Sequence, residues 1–309
     1  MNGMTDLQTA FDAFITPYHG DVLFDEPLAA HCSFKIGGPA EIFFTPYDEE
    51  ALLAALGYAK ENGTGLHILG NGSNVLISDQ GLGGITVRLM GGLTALERLE
   101  DGAVFCGAGV SLKRLCTFAL ENGLTGLEFA YGIPGSVGGA VYMNAGAYGG
   151  EIKNVLQKVR CIDPATLEIK EYDAASLDIA YRSTPFMKNK EIITGAVFRL
   201  IPGDAEASKA RMNELMAKRK ASQPLEYPSA GSTFKRPPNG YAAAMIDQSG
   251  LKGYRVGGAM VSEKHAGFVI NRANATFKDV LGVIEGVRNT VEQKFGTRLE
   301  LEVEILGEE

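Results

Sequence analysis

Residues 69–84 read LGNGSNVLISDQGLGG, and how this stretch is read decides the fold. Gly70 and Gly72, with Asn71, Ser73 and Asn74 beside them, let backbone N–H groups come close to an anion, as glycine-rich phosphate nests do, although a plain turn accounts for the same residues. A dinucleotide fingerprint needs a third glycine where Val75 stands and a helix straight after it. Here Val75, Leu76, Ile77 and Ser78 read as a strand instead. GAGVSL at 107–112 does precede a helix but also lacks the third glycine, and neither segment is a P-loop.

Outward from this loop, helix and strand alternate through the first half. Asp48 opens a helical pattern with Leu52, Leu53, Leu56 and Ala59 on one side and Gly63 at the expected C-cap. Ser111 opens a second, with Leu112, Leu115, Phe118 and Ala119 before Gly123. Both end in Glu-Asn-Gly and lead into short apolar runs, LHILG and LEFAYG, which read as buried strands; the two blocks join near Gly91-Gly92. VLQKVRCI, LEIKEY and EIITGAVFRLI are strand-like, with turn signals at Asp163-Pro164 and Thr184-Pro185. A polar helix follows over 205–221, then the loop YPSAGSTFKRPPNG at 227–240, a small helix at 241–248 and a strand in HAGFVIN. A long helix opens at Thr276 with capping-box spacing to Asp279 and carries Val280, Leu281, Ile284, Val287, Val291 and Phe295 at helical intervals. The chain ends in a strand, LELEVEIL. The pattern is that of a mixed α+β protein with boundaries near 90 and 205.

Composition narrows the function. A formal charge of −8 over 309 residues argues against nucleic-acid binding, which needs basic faces. KRK at 218–220 and KR at 235–236 could still serve a small anion locally, although a solvated helix face explains the first cluster. The N-terminus carries an acid where a signal peptide has a basic region, and no long apolar run suits a membrane, so a cytoplasmic protein is expected. Four cysteines without a CxxC pair and four scattered histidines suggest neither a zinc cage nor a disulfide framework.

A second glycine-rich segment, YGIPGSVGGAVYMNAGAYGGEI at 131–152, is too long and apolar for a hairpin. Its lack of bulky side chains suits backbone packed on a flat ligand, or equally a tight packing corner. With the loop at 69–84 it fits a cofactor that has a diphosphate and a ring system.

The ordered set GNGSN, GIPGSVGGAVYMNAGAYGGEI, YRSTPF, SAGSTFKRP, LKGYRVGGAMVSEKHAGFVIN and LELEVEILG resembles the UDP-N-acetylenolpyruvoylglucosamine reductase family over nearly the whole chain. The resemblance implies a vanillyl-alcohol-oxidase (PCMH-type) FAD-binding domain in two pieces, 1–90 and 91–204, and a C-terminal α+β substrate-binding domain, 205–309, for the UDP-sugar. It implies non-covalent FAD held by Gly70, Asn71, Gly72, Ser73, Asn74, Val75, Leu76, Pro134, Gly135, Ser136, Gly138, Gly139, Asn144, Gly146 and Ala147. It further implies that NADPH reduces the flavin and leaves, and that the enolpyruvyl sugar nucleotide then enters the same cleft and is reduced to UDP-N-acetylmuramate. Residue by residue, the implied catalytic groups are Arg182, stabilising an enolate-like intermediate, Ser232, protonating the adjacent carbon, and Glu302, polarising the acceptor. Periodicity alone does not single out Glu302, because a solvated acidic face explains Glu300, Glu302 and Glu304 alike.

Arg236 stands where many members have asparagine, and the chain resembles the short branch that lacks an inserted tyrosine unit. Tyr181, Lys235, Arg236, Lys264 and His265 are therefore candidates for the substrate, with a packed structural role the alternative for His265. A monomer without nucleic-acid or membrane partners is expected. Two other readings stay open: a different reductase or oxidase on the same FAD fold, and a non-catalytic UDP-sugar sensor.

Overall fold

The computed structural model describes residues 4–308, which form two compact units, each assembled from separated stretches of chain. The first takes residues up to Asp25 with Glu41–Asn71 and Gly83–Ala217; the second takes Glu26–Ala40, Gly72–Leu82 and Lys218 onward.

The first unit carries two sheets. One orders its strands Gly20–Pro27, Pro39–Pro46, Leu82–Arg88, Leu66–Leu69, the last two parallel with Leu66 opposite Ile85. The helix Glu49–Asn62 starts where Asp48 accepts from the Ala51 N–H at 2.8 Å and stops at Gly63, left-handed at φ +62°. The other sheet is antiparallel, ordered Ile169–Asp173, Leu156–Ile162, Ile192–Phe198, Val104–Gly107, Leu96–Arg98. Its helix, Leu112–Glu121, is capped by Ser111 as expected. Phe11, Leu52, Ile85, Leu115, Val159 and Phe198 belong to one continuous core under both sheets, so the join at Gly91-Gly92 lies inside a single unit.

Two sequence expectations fail. LEFAYG is not a strand: Glu128–Ala130 is a turn of 3₁₀ helix. The Glu128 carboxylate curls back to accept from the Thr125 hydroxyl at 2.5 Å and the Gly126 N–H at 3.0 Å, and takes the Ser208 hydroxyl at 2.7 Å, which favours a turn over an extended chain. LELEVEIL is not one long strand either. Strand pairing covers only Glu304–Leu306, with a single bridge at Leu301, and Ile305 is exposed although Leu299 and Val303 are buried.

The second unit builds a three-stranded antiparallel sheet, Arg255–Val256, Ala259–Val261, Val269–Asn271, under the long helix Phe277–Phe295. The predicted capping box is present, Thr276 Oγ1 accepting from the Asp279 N–H at 3.1 Å, and Val280, Val283, Ile284, Val287 and Val291 are buried. The strand expected after the first glycine loop is Val75–Ile77, paired in parallel with Glu304–Leu306. Hydrogen bonds explain why two early stretches join this unit. Asp79 accepts from the Phe277 N–H at 2.7 Å, Ser78 Oγ donates to the Glu308 carbonyl at 2.6 Å, and Ser33 Oγ donates to the Ser229 carbonyl at 2.6 Å.

All four cysteines are buried free thiols, with burial pushing Cys116 up to about 12. Among the described residues no group of His, Cys, Asp and Glu could hold a metal ion, and no helix is long and apolar enough to cross a membrane.

Candidate active site

In the first unit the two glycine-rich segments meet. Asn71 Nδ2 donates to the Pro134 carbonyl at 2.6 Å, and a Cβ on Gly70 would stand 2.6 Å from Ser136 Oγ. Ser136 is buried and caps the short helix Val137–Tyr142, accepting from the Gly139 N–H at 3.3 Å. The Val137 and Gly138 N–H groups donate to Val110 and Ala108 carbonyls, and a Cβ on Gly138 would lie 2.8 Å from that of Ala108. Gly138 is thus a packing glycine. The Gly135 carbonyl accepts from the Leu112 N–H at 2.9 Å, tying the segment to the helix Leu112–Glu121.

Gly72 also has a structural reason. Its φ is +59°, and a Cβ there would collide with the carbonyl oxygen of His31. Its own carbonyl accepts from the Ser33 N–H at 2.9 Å. The expectation that its missing side chain serves the approach of a diphosphate is therefore not needed to explain glycine at this position. The anion-binding capacity of the loop lies in its backbone. Among the described residues, the N–H groups of Asn71, Gly72 and Ser73 have no acceptor, which is the donor set a diphosphate requires. Val75 and Leu76 belong to the strand that follows.

Arg182 sits on a tight hairpin in the first unit. Ala180 N–H donates to the Ser183 carbonyl at 2.9 Å and the reverse bond measures 3.3 Å, so Tyr181 and Arg182 form the tip, with Arg182 at φ +49°. The guanidinium donates through Nη1 to the Asn144 carbonyl at 3.2 Å and through Nη2 to the Gly146 carbonyl at 3.4 Å, and lies 5.1 Å from the centre of the half-exposed Tyr181 ring. Gly146 and Ala147 form the first strand of a second hairpin, whose tip residues Tyr148 and Gly149 are both left-handed. Thr184, fully buried, pins the base of the arginine hairpin by donating to the Tyr142 carbonyl at 2.7 Å.

Ser232 and Glu302 are brought together in the second unit. Phe234 bridges Leu301 in antiparallel register; the Glu302 N–H donates to the Thr233 carbonyl and the Lys235 N–H to the Glu300 carbonyl, both at 2.9 Å. Thr233 thus stands opposite Glu302, and Ser232 is one residue further. The Glu302 carbonyl accepts from Asn74 Nδ2 at 2.9 Å, and the Asn74 carbonyl accepts from the Glu304 N–H at 2.9 Å. The end of the first glycine loop therefore helps fix the segment that carries Glu302, a role for Asn74 that its sequence did not announce.

The cationic candidates are dispersed. Lys235 Nζ lies 3.7 Å from the Glu300 carboxylate, and the Arg236 guanidinium 4.8 Å from the centre of the Tyr241 ring. Lys264 Nζ donates to the Lys220 carbonyl at 2.7 Å, in the last turn of the helix Ala205–Ser222, where a cation suits the helix dipole. His265 is packed: Nδ1 accepts from the Gly267 N–H at 3.1 Å, the ring meets Phe268 edge-on, and burial lowers its pKa and keeps it neutral.

Comparison with known proteins places both halves. An FAD binding domain profile matches residues 40–170, taking in both glycine segments, and the profile of the UDP-N-acetylenolpyruvoylglucosamine reductase C-terminal domain matches residues 223–306, taking in Ser232 and Glu302. The UDP-N-acetylenolpyruvoylglucosamine reductase of Geobacillus kaustophilus is 49% identical over 94% of this chain and 94% of its own length. The chain belongs to the UDP-N-acetylenolpyruvoylglucosamine reductase family. The Clostridium novyi member is 49% identical over 90% of each chain. The crystal structure of the Thermus caldophilus member superposes with a TM-score of 0.78 at 34% identity, covering 94% of this chain and 99% of that one. Family membership makes the chain an α+β flavin-dependent oxidoreductase with FAD as its cofactor. The N–H groups of Asn71, Gly72 and Ser73 suit the FAD diphosphate.

Proposed function

We propose that this protein reduces UDP-N-acetyl-3-O-(1-carboxyvinyl)-glucosamine to UDP-N-acetylmuramate, a peptidoglycan precursor, with NADPH as the electron source. The observation that carries the reading is end-to-end membership of one reductase family, through both the FAD-binding half and the half that pairs the Ser232 loop with the Glu302 segment. FAD, when bound, supplies hydride chemistry. The chain's own residues do the rest. The N–H groups of Asn71, Gly72 and Ser73 would hold the FAD diphosphate. Arg182 offers a positive charge where negative charge develops on the substrate carboxylate as its vinyl group is reduced. Ser232 Oγ gives up the proton that the carbon next to that carboxylate gains, and Glu302 polarises the acceptor from the adjoining segment. Lys235 and Arg236, which follow Ser232 on the same segment, and Tyr181 beside Arg182 are the groups we assign to the substrate; Lys264 and His265 keep the packing roles their contacts describe. The segments 1–90, 91–204 and 205–309 are taken as two FAD-binding parts and a substrate part. The protein is taken as a cytoplasmic monomer, for which light scattering should return about the chain mass of 32.9 kDa.

The visible spectrum tests the reading directly. The purified protein should be yellow, release FAD intact on denaturation, bleach anaerobically with NADPH and recover its colour on addition of the enolpyruvyl sugar nucleotide. A protein that cannot be loaded with FAD, or a reduced flavin that this substrate leaves reduced, overturns it.

A further inference from the structure

We propose that Asn144 is a positioning residue for Arg182, holding both the hairpin that carries the arginine and the direction of its guanidinium. The proposal rests on the reading that Arg182 acts on the substrate carboxylate. Asn144 is 1% exposed and adopts φ +43°, a left-handed conformation that asparagine tolerates better than most residues. Its side chain is fully engaged inside the protein. Nδ2 donates to Glu151 Oε2 and to the Ala180 carbonyl, both at 3.0 Å, while Oδ1 accepts from the Lys153 N–H at 3.1 Å. This arrangement fixes the amide orientation without ambiguity, since a flipped amide would set its oxygen against two acceptors.

Two of these contacts bear on one target. Through Nδ2, Asn144 grips the Ala180 carbonyl, at the start of the Ala180–Ser183 hairpin. Through its own carbonyl, it accepts from Arg182 Nη1 at 3.2 Å. The side chain therefore anchors the backbone two residues before Arg182, and the main chain aims the charge at its tip. The left-handed turn at Asn144 points that carbonyl at the guanidinium, and Glu151 and Lys153 hold the turn from the other side. A leucine or alanine of similar burial would fill space but hold neither end. Its N–H donates to the Val141 carbonyl at 3.1 Å, so the side chain, the N–H and the carbonyl of Asn144 all have partners inside the protein.

Displacing a catalytic charge by about 1 Å costs on the order of 10²-fold in rate. Asn144→Gly keeps the left-handed backbone and removes all three side-chain bonds; Asn144→Asp keeps the acceptor for Lys153 and removes both donors. Rates are compared per bound FAD, so that any loss of cofactor at this position is scored separately from the rate of each half-reaction. Stopped-flow absorbance should show flavin reduction by NADPH within about two-fold of wild type. Reoxidation by the enolpyruvyl substrate should slow about 10–10²-fold. In an Arg182→Ala background, Asn144→Gly should add less than about two-fold, because its effect runs through Arg182. The positioning role is overturned if Asn144→Gly slows reoxidation equally with and without Arg182, slows both half-reactions alike, or changes neither. It is also overturned if neither variant folds, which would make the residue purely architectural. If Arg182→Ala is slow while the Asn144 variants run at wild-type rate, only the positioning role fails. If Arg182→Ala itself reoxidises at wild-type rate, the reading of Arg182 fails first.

Discussion

Ser232 follows Gly231, whose φ of +78° turns the chain, and precedes Thr233, whose carbonyl is tied to Glu302. A turn-only serine and a proton donor make different demands on this position. Ser232→Ala removes a hydroxyl and no turn-forming group, so a turn role predicts normal turnover. The donor role predicts that NADPH still reduces the flavin at wild-type rate while reoxidation by substrate slows by about 10²–10⁴-fold, the usual loss with a general acid. Stopped-flow flavin absorbance separates the two steps, and equal wild-type rates in both would remove Ser232 as the acid. At this scale the sequence carried identities but not reasons. Arg182, Ser232 and Glu302 stood out through the resemblance, whereas Asn144 and Asn74 stood out only as implied FAD contacts and not for the ties they make to Arg182 and to the Glu302 segment. Their importance comes from backbone dihedrals and from carbonyls distant in sequence, which no local pattern encodes.

Among the elements, helices were the most legible and short extended pieces the least. Asp48, Ser111 and Thr276 cap helices where local spacing places them, because a cap depends on groups two or three residues away. LEFAYG and LELEVEIL misled because apolar runs do not reveal whether a partner strand lies beside them, and here Glu128 and a broken terminal pairing decided otherwise. The glycine loops show the same limit, since sequence cannot tell a glycine kept for a ligand from one kept for a neighbour. Gly72→Ala should therefore act first on folding. Left-handed strain of about 1–2 kcal/mol adds to the collision with His31, and the melting temperature should fall even with saturating FAD present. Gly231→Ala makes the contrast. It meets no atom within 4 Å, so only the dihedral suffers, and reoxidation of the flavin should fall more than stability does. If Gly72→Ala melts like wild type and only loses FAD, the loop's glycine serves the cofactor after all.

For the whole molecule, the alternating blocks of the first half were legible but their union was not, because it depends on side chains 111 residues apart. Arg160 in the second sheet makes a two-pronged bond to Glu49, Nε to Oε1 and Nη2 to Oε2 at 2.8 Å each, and Thr194 Oγ1 donates to the same carboxylate at 2.5 Å. Glu49 also lies in the first turn of its helix, where a negative charge suits the dipole. Burial pushes the Glu49 carboxyl up, yet the hydrogen bonds from Arg160 and Thr194 outweigh it and leave the pKa below its ordinary value. The sign then follows. A folded pKa below the unfolded one means that the tie contributes fully above the usual glutamate range and is lost as pH falls through the lowered folded value. Glu49→Gln should cost about 1.5–3 kcal/mol at neutral pH, typical of hydrogen bonds to a charged group. Melting curves of wild type and variant should therefore differ by several degrees at pH 7 and converge as pH falls from the ordinary glutamate range through the lowered folded value. A gap that stays constant into acid would mean that the charge on Glu49 does not hold the two blocks together, and that their shared apolar core suffices.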